Sequence, residues 1–339
     1  CGNDTASERS MVRKYIVDSV KYWADEYHLD GFRFDLLGLL DVQTVNEIIE
    51  EVHKTHPHII FYAEGWNMGT EVTKENVLLA NQTNAKETPG MAYFSDMIRD
   101  AVRGSNSNAS KTGYAAGAGG FANNVRDSFL GKPGWAKDPC QVVNYVSCHD
   151  DYSLTDKLNV SMKGASEDEK MRAARLAQTI VFTSQGTPFM FAGEEVFRNK
   201  KGIHNTYNRP DSVNAIDWTL KNKNAEQFNY YCELTKLRKA HPAFRMTTAE
   251  AITKHIVFDN VKGENLISYS IKDNANGDSW KEIKLVFNGS NEVQEVKIKK
   301  GEWIIVAQDG KLKADGMGTT KGGKMTVAPT SALILARVK

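Results

Sequence analysis

Between residues 5 and 27 apolar side chains return every three or four positions, at Val12, Tyr15, Ile16, Val20, Trp23 and Tyr27. That spacing lines one face of an α-helix, and Thr5 with Glu8 supplies the signature of a capping box at its start. The rhythm then shortens. His28-Leu29-Asp30 turns into Gly31-Phe32-Arg33-Phe34-Asp35, which reads as a strand, and residues 44–52 return to helical spacing through Val45, Ile48, Ile49 and Val52, with Thr44 and Glu47 as a second capping box. Further strands are predicted at 59–63, around Met91, at 142–146 and at 188–192. Between them lie helices up to Val102, at 167–182 behind the pair Ser166 and Glu169, and at 225–239, the last stopping before Pro242. Strands that alternate with helices pair in parallel, so this part of the chain predicts an α/β layout.

Beyond about Arg245 the helical rhythm disappears. Short alternating runs at 266–271, 283–287, 293–298, 303–306 and 332–338, separated by Gly, Asn and Asp turns, predict an antiparallel β domain, a sandwich. The predicted division is therefore residues 1–245 and residues 246–339. The Gly- and Ala-rich stretch 113–120 reads as a flexible loop, and Ala122 stands where a dinucleotide-binding fingerprint needs its third glycine. The parallel strands before the β domain number five, whereas a closed (β/α)8 barrel takes eight. Either the sheet is open, or three strands precede Cys1.

Charge excludes several classes of partner. The chain has 339 residues, with 43 Lys and Arg against 42 Asp and Glu, and no long run of one sign, so it lacks the footprint of a nucleic-acid or acidic-membrane binder. A neutral polymer suits such a surface. No apolar run approaches the length of a membrane span. The four cysteines, Cys1, Cys140, Cys148 and Cys232, are too sparse for a disulfide framework and match no zinc spacing.

Three acidic residues fall at or just past predicted strand ends: Asp35, Glu64 and Asp150. In a parallel barrel such ends share one rim, so the three are expected to converge on a cleft. Retaining cleavage of a glycosidic bond needs one carboxylate to attack the anomeric carbon and one carboxyl, about 5 to 5.5 Å away, to protonate the leaving oxygen. Arg33 projects to the same side as Asp35 and is expected to keep it ionised, while neighbouring negative charge is expected to favour the protonated form of Glu64.

These residues carry a resemblance. Gly31-Phe32-Arg33-Phe34-Asp35-Leu36-Leu37-Gly38, Tyr62-Ala63-Glu64-Gly65-Trp66 and Asn144-Tyr145-Val146-Ser147-Cys148-His149-Asp150 resemble, in order, the second, third and fourth sequence blocks of the α-amylase superfamily. Leu36-Leu37-Gly38, Glu64-Gly65-Trp66, the opening Cys1-Gly2-Asn3-Asp4-Thr5-Ala6-Ser7-Glu8-Arg9 and Tyr207-Asn208-Arg209-Pro210-Asp211-Ser212-Val213-Asn214 resemble its type I pullulanases, which cleave α-1,6 branch linkages. The resemblance implies Asp35 as nucleophile, Glu64 as acid/base and Asp150 as the third acid that holds and distorts the sugar, with Arg33 and His149 at substrate-contacting positions. It implies the C-terminal part of a (β/α)8 barrel, about strands 4–8, followed by the β sandwich. The first block, an Asn-His pair, is expected before Cys1, in an N-terminal portion of the same protein held as a nicked partner or lost by truncation. The implied substrate is an α-glucan. No cofactor is needed for the chemistry, a structural calcium ion is compatible with the reading, and a secreted, periplasmic or cell-surface location is favoured over a cytoplasmic one.

Other features admit structural readings. Trp66 and Tyr152 suit stacking on glucose rings or packing of the rim, and Asn208 and Asp211 suit sugar hydroxyls or simple turns. Asn3 and Asp4 are weaker candidates for the cleft. His53, His56 and His58 are placed on the opposite barrel face, which serves stability rather than metal binding, and Cys148 is expected to be a small buried side chain. Two alternatives stay open: an α-1,4-acting amylase or neopullulanase, and a non-catalytic glycan-binding barrel.

Overall fold

The computed structural model describes residues 3–70, 76–263 and 265–338, so Cys1 and Gly2 of the opening motif lie outside the described residues. The chain forms two compact units, Cys1–Ser95 with Lys132–Val143, and Asp96–Gly131 with Asn144–Lys339.

In the first unit helix α1 (Ser10–Tyr27) leads to strand β1 (Gly31–Phe34), helix α2 (Val42–His53) to β2 (Ile60–Ala63), and β3 (Ala92–Phe94) is followed by the start of β4 (Val142–Asn144). Strands β1 to β4 pair in parallel in chain order, with Gly31 opposite Ile60, Tyr62 opposite Ala92 and Tyr93 opposite Val142. The stripe that predicted α2 is its buried face, where Val45, Ile48, Ile49 and Val52 pack with Val17, Val20 and Ala24 of α1 and with Phe61, Ala63 and Tyr93 of the sheet. Each such side chain, fully buried, contributes about 1.5–3 kcal/mol.

Both N-terminal capping boxes expected here are replaced. Helix α1 starts at Ser10 behind Arg9, with no side-chain cap. Residues before it are engaged elsewhere: Ser7 is buried, its hydroxyl accepts from the Asp41 N–H at 3.0 Å, and its carbonyl accepts from the Thr44 hydroxyl at 2.9 Å. At α2 the cap is Asp41, whose carboxylate accepts from the Thr44 N–H at 2.9 Å. Burial would raise the pKa of Asp41, but its bonds from Thr44 and Ser7 and the charge of Arg13 outweigh that and hold it below the usual value.

The second unit carries α3 (Asp96–Arg103), α4 (Ala122–Phe129), α5 (Leu154–Ser161), α6 (Glu167–Thr183), the single turns α7 (Asp211–Asn214) and α8 (Leu220–Lys223), α9 (Ala225–Ala240) and α10 (Ala249–His255). Helix α6 has the predicted capping box from Ser166 and Glu169. Strand β5 (Thr187–Pro188) is shorter than expected. The chain turns after it, where the Phe191 carbonyl accepts from Glu194 N–H and Gly193 takes φ of 96°. The last residue of β4, Asn144, joins this segment through its carbonyl, which accepts from Phe189 N–H at 2.8 Å, and its side-chain amide, which donates to the Gln185 carbonyl at 2.7 Å.

Strands β6 (Ile256–Phe258), β7 (Leu266–Lys272), β8 (Glu282–Asn288), β9 (Gln294–Ile298), β10 (Trp303–Gln308), β11 (Lys311–Leu312), β12 (Thr319–Thr320), β13 (Gly323–Val327) and β14 (Ser331–Arg337) complete the chain. They form an antiparallel sheet in the order β11-β10-β14-β8-β7-β6, with β12 on β10, and a separate β13-β9 pair. Val296, Ile298 and Val327 of the pair bury against Leu266, Val286, Trp303, Leu333 and Leu335 of the sheet, the two-layer arrangement of a sandwich. The stretch 113–120 is not a free loop. Tyr114 is completely buried, and its hydroxyl is within hydrogen-bond distance of the Asn265 and Phe287 carbonyls at 2.9 and 2.8 Å. Glycine content predicted flexibility there, but one buried aromatic anchors the turn to the β sheet. Among the described residues no helix is long and apolar enough to cross a membrane.

Candidate active site

Strand β1 ends at Phe34, so Asp35 is the first side chain past the sheet, and Leu36 follows in the left-handed region at φ 45°. A non-glycine residue pays about 1–3 kcal/mol for such a conformation. Surrounding bonds hold it there: Leu36 N–H donates to Glu64 Oε2 at 3.2 Å, Gly38 N–H donates to the Glu64 carbonyl at 3.2 Å, and Glu64 N–H donates to the Phe34 carbonyl at 3.1 Å. The parallel register of β1 and β2 thus fixes Glu64 beside the Asp35 turn.

Arg33 spans the two carboxyl groups. Its Nη1 lies 2.7 Å from Asp35 Oδ1 and its Nη2 lies 3.1 Å from Glu64 Oε1. The Arg33–Asp35 pair is the one expected, but the expectation that negative neighbours govern Glu64 needs correction, because the same planar guanidinium pairs with it and the Leu36 N–H donates to it. The carboxyls differ in environment, the Asp35 side chain being 72% exposed and that of Glu64 only 9%. Behind them Gly65 is buried and its carbonyl accepts from Gln82 N–H at 2.8 Å, while Trp66 is half-buried.

In the second unit, His149 and Asp150 follow β4 side by side, with His149 Nε2 at 3.6 Å from Asp150 Oδ1 and both side chains exposed. The loop that carries them is held at several points. Lys200 Nζ donates to the His149 carbonyl at 3.3 Å, Arg103 Nη1 donates to the Tyr152 carbonyl at 2.9 Å, and Asn106 donates to Asp151 at 2.6 Å. The Cys148 thiol is half-buried, and burial pushes its pKa up to about 11, which leaves it a poor nucleophile.

The remaining candidates are more dispersed. Tyr152 packs edge-on against His204 at 4.8 Å, Asn208 is exposed, and exposed Asp211 opens the single turn α7. In that loop Asn214 is the organiser, accepting from the Thr206 hydroxyl at 2.7 Å and donating to the Thr206 and Arg209 carbonyls at 2.8 and 2.9 Å. Asn3 and Asp4 are exposed. His53 bonds the Ile59 carbonyl at 2.9 Å and His56 pairs with Asp25 at 2.7 Å, and among the described residues no group of three or more His, Cys, Asp or Glu is placed to hold a metal ion. A buried acid escaped the sequence reading. Glu194, beyond the turn that follows β5, is bonded by Ser147 and Gln178, and its position after Gly193, just past the predicted strand 188–192, was the available signal.

The pattern described as the α-amylase catalytic domain matches residues 3–224, and that described as the pullulanase all-β domain matches residues 252–311. A pullulanase of Bacillus subtilis is 40% identical over 303 residues, which cover 88% of this chain and 42% of that relative. One from Klebsiella aerogenes is 29% identical, covering 77% and 31% respectively. Among solved structures, the pullulanase of Bacillus acidopullulyticus superposes with a TM-score of 0.94 at 35% identity, over 99% of this chain and 41% of that one. The pullulanase of Anoxybacillus sp. LM18-11 in complex with maltotetraose gives 0.91 at 35% identity, over 98% and 47%. The chain spans less than half the length of these relatives. On this match of both segments, the chain belongs to the α-amylase superfamily, among its pullulanases.

Proposed function

We propose that this chain supplies the catalytic acids of a retaining glycoside hydrolase that cleaves α-1,6 branch linkages in pullulan, amylopectin or related α-glucans. The observation that carries the reading is the Arg33 fork, which joins two carboxyl groups at the ends of adjacent parallel strands. Asp35 acts as nucleophile. Its carboxylate oxygen bonds to the anomeric carbon as the bond from that carbon to the leaving oxygen breaks, and Glu64 passes its proton to that oxygen. Water then gives a proton to Glu64 and its oxygen to the anomeric carbon, releasing Asp35. Exposure of Asp35 suits a group that must reach the sugar, and Glu64, the less exposed of the two, is assigned the proton transfer. Asp150 and His149 are assigned to hold the sugar ring.

Substrate class rests on the relatives, since solved pullulanases have been captured with maltotetraose and maltohexaose. The reaction is complete with two carboxyls and water. Polypeptide outside this chain is assigned the rest of the barrel, consistent with the share of each relative that this chain covers. The test uses the full-length polypeptide containing this chain. Release of maltotriose from pullulan with little cleavage of linear amylose is expected, and Asp35→Asn is expected to lower kcat by about 10⁴ or more. Cleavage of amylose alone would sink the α-1,6 assignment, and unchanged turnover of Asp35→Asn would sink the mechanism.

A further inference from the structure

Glu194 is a carboxyl of the second unit with no role in the chemistry above, and it is 4% exposed. Two side chains hold it. The Ser147 hydroxyl meets Oε1, and the Gln178 amide, itself completely buried on α6, meets Oε2. Ser147 has a second bond, since its Oγ accepts from Leu154 N–H at 3.1 Å. It therefore ties the end of the β4 segment to the first turn of α5, and the residues between those points include His149 and Asp150.

No cation bonds directly to the carboxyl in the contacts described. The titratable and charged groups facing it are Arg103 from α3, Tyr231 from α9 and Glu195 beside it. Arg103 acts at longer range and spends its described hydrogen bonds on Tyr152 and Asn106. A fully buried carboxylate without a bonded cation is costly, so the neutral acid is the form this site favours. A neutral acid needs an acceptor for its proton, and the site has one. Gln178 Oε1 is buried without a hydrogen-bond partner, and turning that amide over places the oxygen on the Glu194 carboxyl.

We propose that Glu194 is a proton-bearing positioning residue: held as the neutral acid between Gln178 and Ser147, it sets the placement of the loop that presents His149 and Asp150. Burial raises its pKa to about 8 even with Ser147 and the unturned Gln178 amide both donating to it, the arrangement that opposes the neutral form. The proposal rests on the function assigned above. Glu194 touches no sugar; it acts through Ser147 on the group that does.

The experiment uses the full-length polypeptide with pullulan as substrate. Ser147→Ala and Glu194→Ala are each expected to lower kcat about tenfold with KM changed by less than about twofold, because a displaced loop weakens transition-state contacts more than binding. Glu194→Gln, an uncharged isostere, is expected to restore kcat to within about twofold. An infrared carbonyl stretch of a protonated carboxyl is expected in the unsubstituted protein at neutral pH and lost in Glu194→Gln. Unchanged kcat in Ser147→Ala, a Gln variant as damaged as the Ala variant, or a spectrum unaffected by Glu194→Gln each overturns the proposal. Should Glu194→Ala fail to fold, Ser147→Ala and Glu194→Gln decide. Inactivity of the unsubstituted protein on pullulan, or full activity of Asp35→Asn, would instead remove the functional reading, and the infrared band would still report on the proton.

Discussion

Replacing Gly65 with alanine is expected to disable the site without touching a reacting group. A methyl carbon built at Gly65 lies 2.6 Å from Tyr93 Cε1 and 3.1 Å from Cγ, with Cδ1 nearer still. Relaxed carbon contacts need about 3.5–4.0 Å. Tyr93 cannot easily withdraw, being completely buried, bonded through its hydroxyl to Thr88 at 2.6 Å, and packed edge-on against Trp135 at 6.0 Å. Relief therefore means moving the backbone at residues 64–66 by roughly an ångström, at about 1–3 kcal/mol for an overpacked core. Glu64 travels with that backbone, and a displacement of this size costs on the order of 10²-fold in rate. The assay is kcat on pullulan and the thermal midpoint of the full-length polypeptide for Gly65→Ala, Tyr93→Ala and the double variant. Tyr93→Ala alone costs about 3–5 kcal/mol for its cavity. The double variant should be less destabilised than the sum of the two by about 1–3 kcal/mol, since the ring that clashes is gone. Strict additivity together with unchanged kcat in Gly65→Ala would refute the packing argument.

Other consequences concern the second unit. Asp278 is buried and accepts from His241 Nδ1 at 2.9 Å, from Ala243 N–H at 3.1 Å and from Trp280 N–H at 2.8 Å, with His241 stacked on Trp280 at 3.4 Å. Burial raises its pKa, but the His241 and backbone bonds outweigh this and hold it below the ordinary value of 3.8. Its contribution is thus present above that value and lost as pH falls through the lower folded one. Asp278→Asn should cost about 3–5 kcal/mol at neutral pH and flatten the loss of stability on acidification below about pH 4, read from thermal midpoints against pH. Lys157 donates through Nζ to the Ser105, Asn108 and Ala109 carbonyls at 2.7, 3.1 and 2.9 Å. Lys157→Met should cost about 3–5 kcal/mol and speed amide exchange across residues 105–109, with protection unchanged there as the contrary result.

Much of the chain was legible because backbone geometry imposes its periods on the residues. The stripe Val45, Ile48, Ile49 and Val52 could only be one face of a helix, and it is the buried face of α2. Gly31 to Phe34 and Ile60 to Ala63 form adjacent parallel strands. Asp35 and Glu64 were visible as candidates because, with Asp150, they fall at successive strand ends in ordered blocks beside Arg33 and His149, whereas a lone strand-end acid is more often a structural partner. Local signals failed where a distant partner competed for the same atoms. Thr5 and Glu8 matched a capping box, but Ser7 is committed to Asp41 and Thr44. The glycines of 113–120 promised mobility, but Tyr114 reaches carbonyls more than 150 residues away.

The amino-acid order alone thus defined the alternation of helix and strand, the antiparallel C-terminal domain and the acids that end β1 and β2, because each depends on repeats within a few residues. Only the tertiary structure decided that Arg33 divides its guanidinium between Asp35 and Glu64, and that Glu194 is buried against Ser147 and Gln178. Those pairings join residues from separate elements. A side chain's reach, burial and hydrogen-bond partners are set by what packs beside it, and periodicity along the chain holds no record of that.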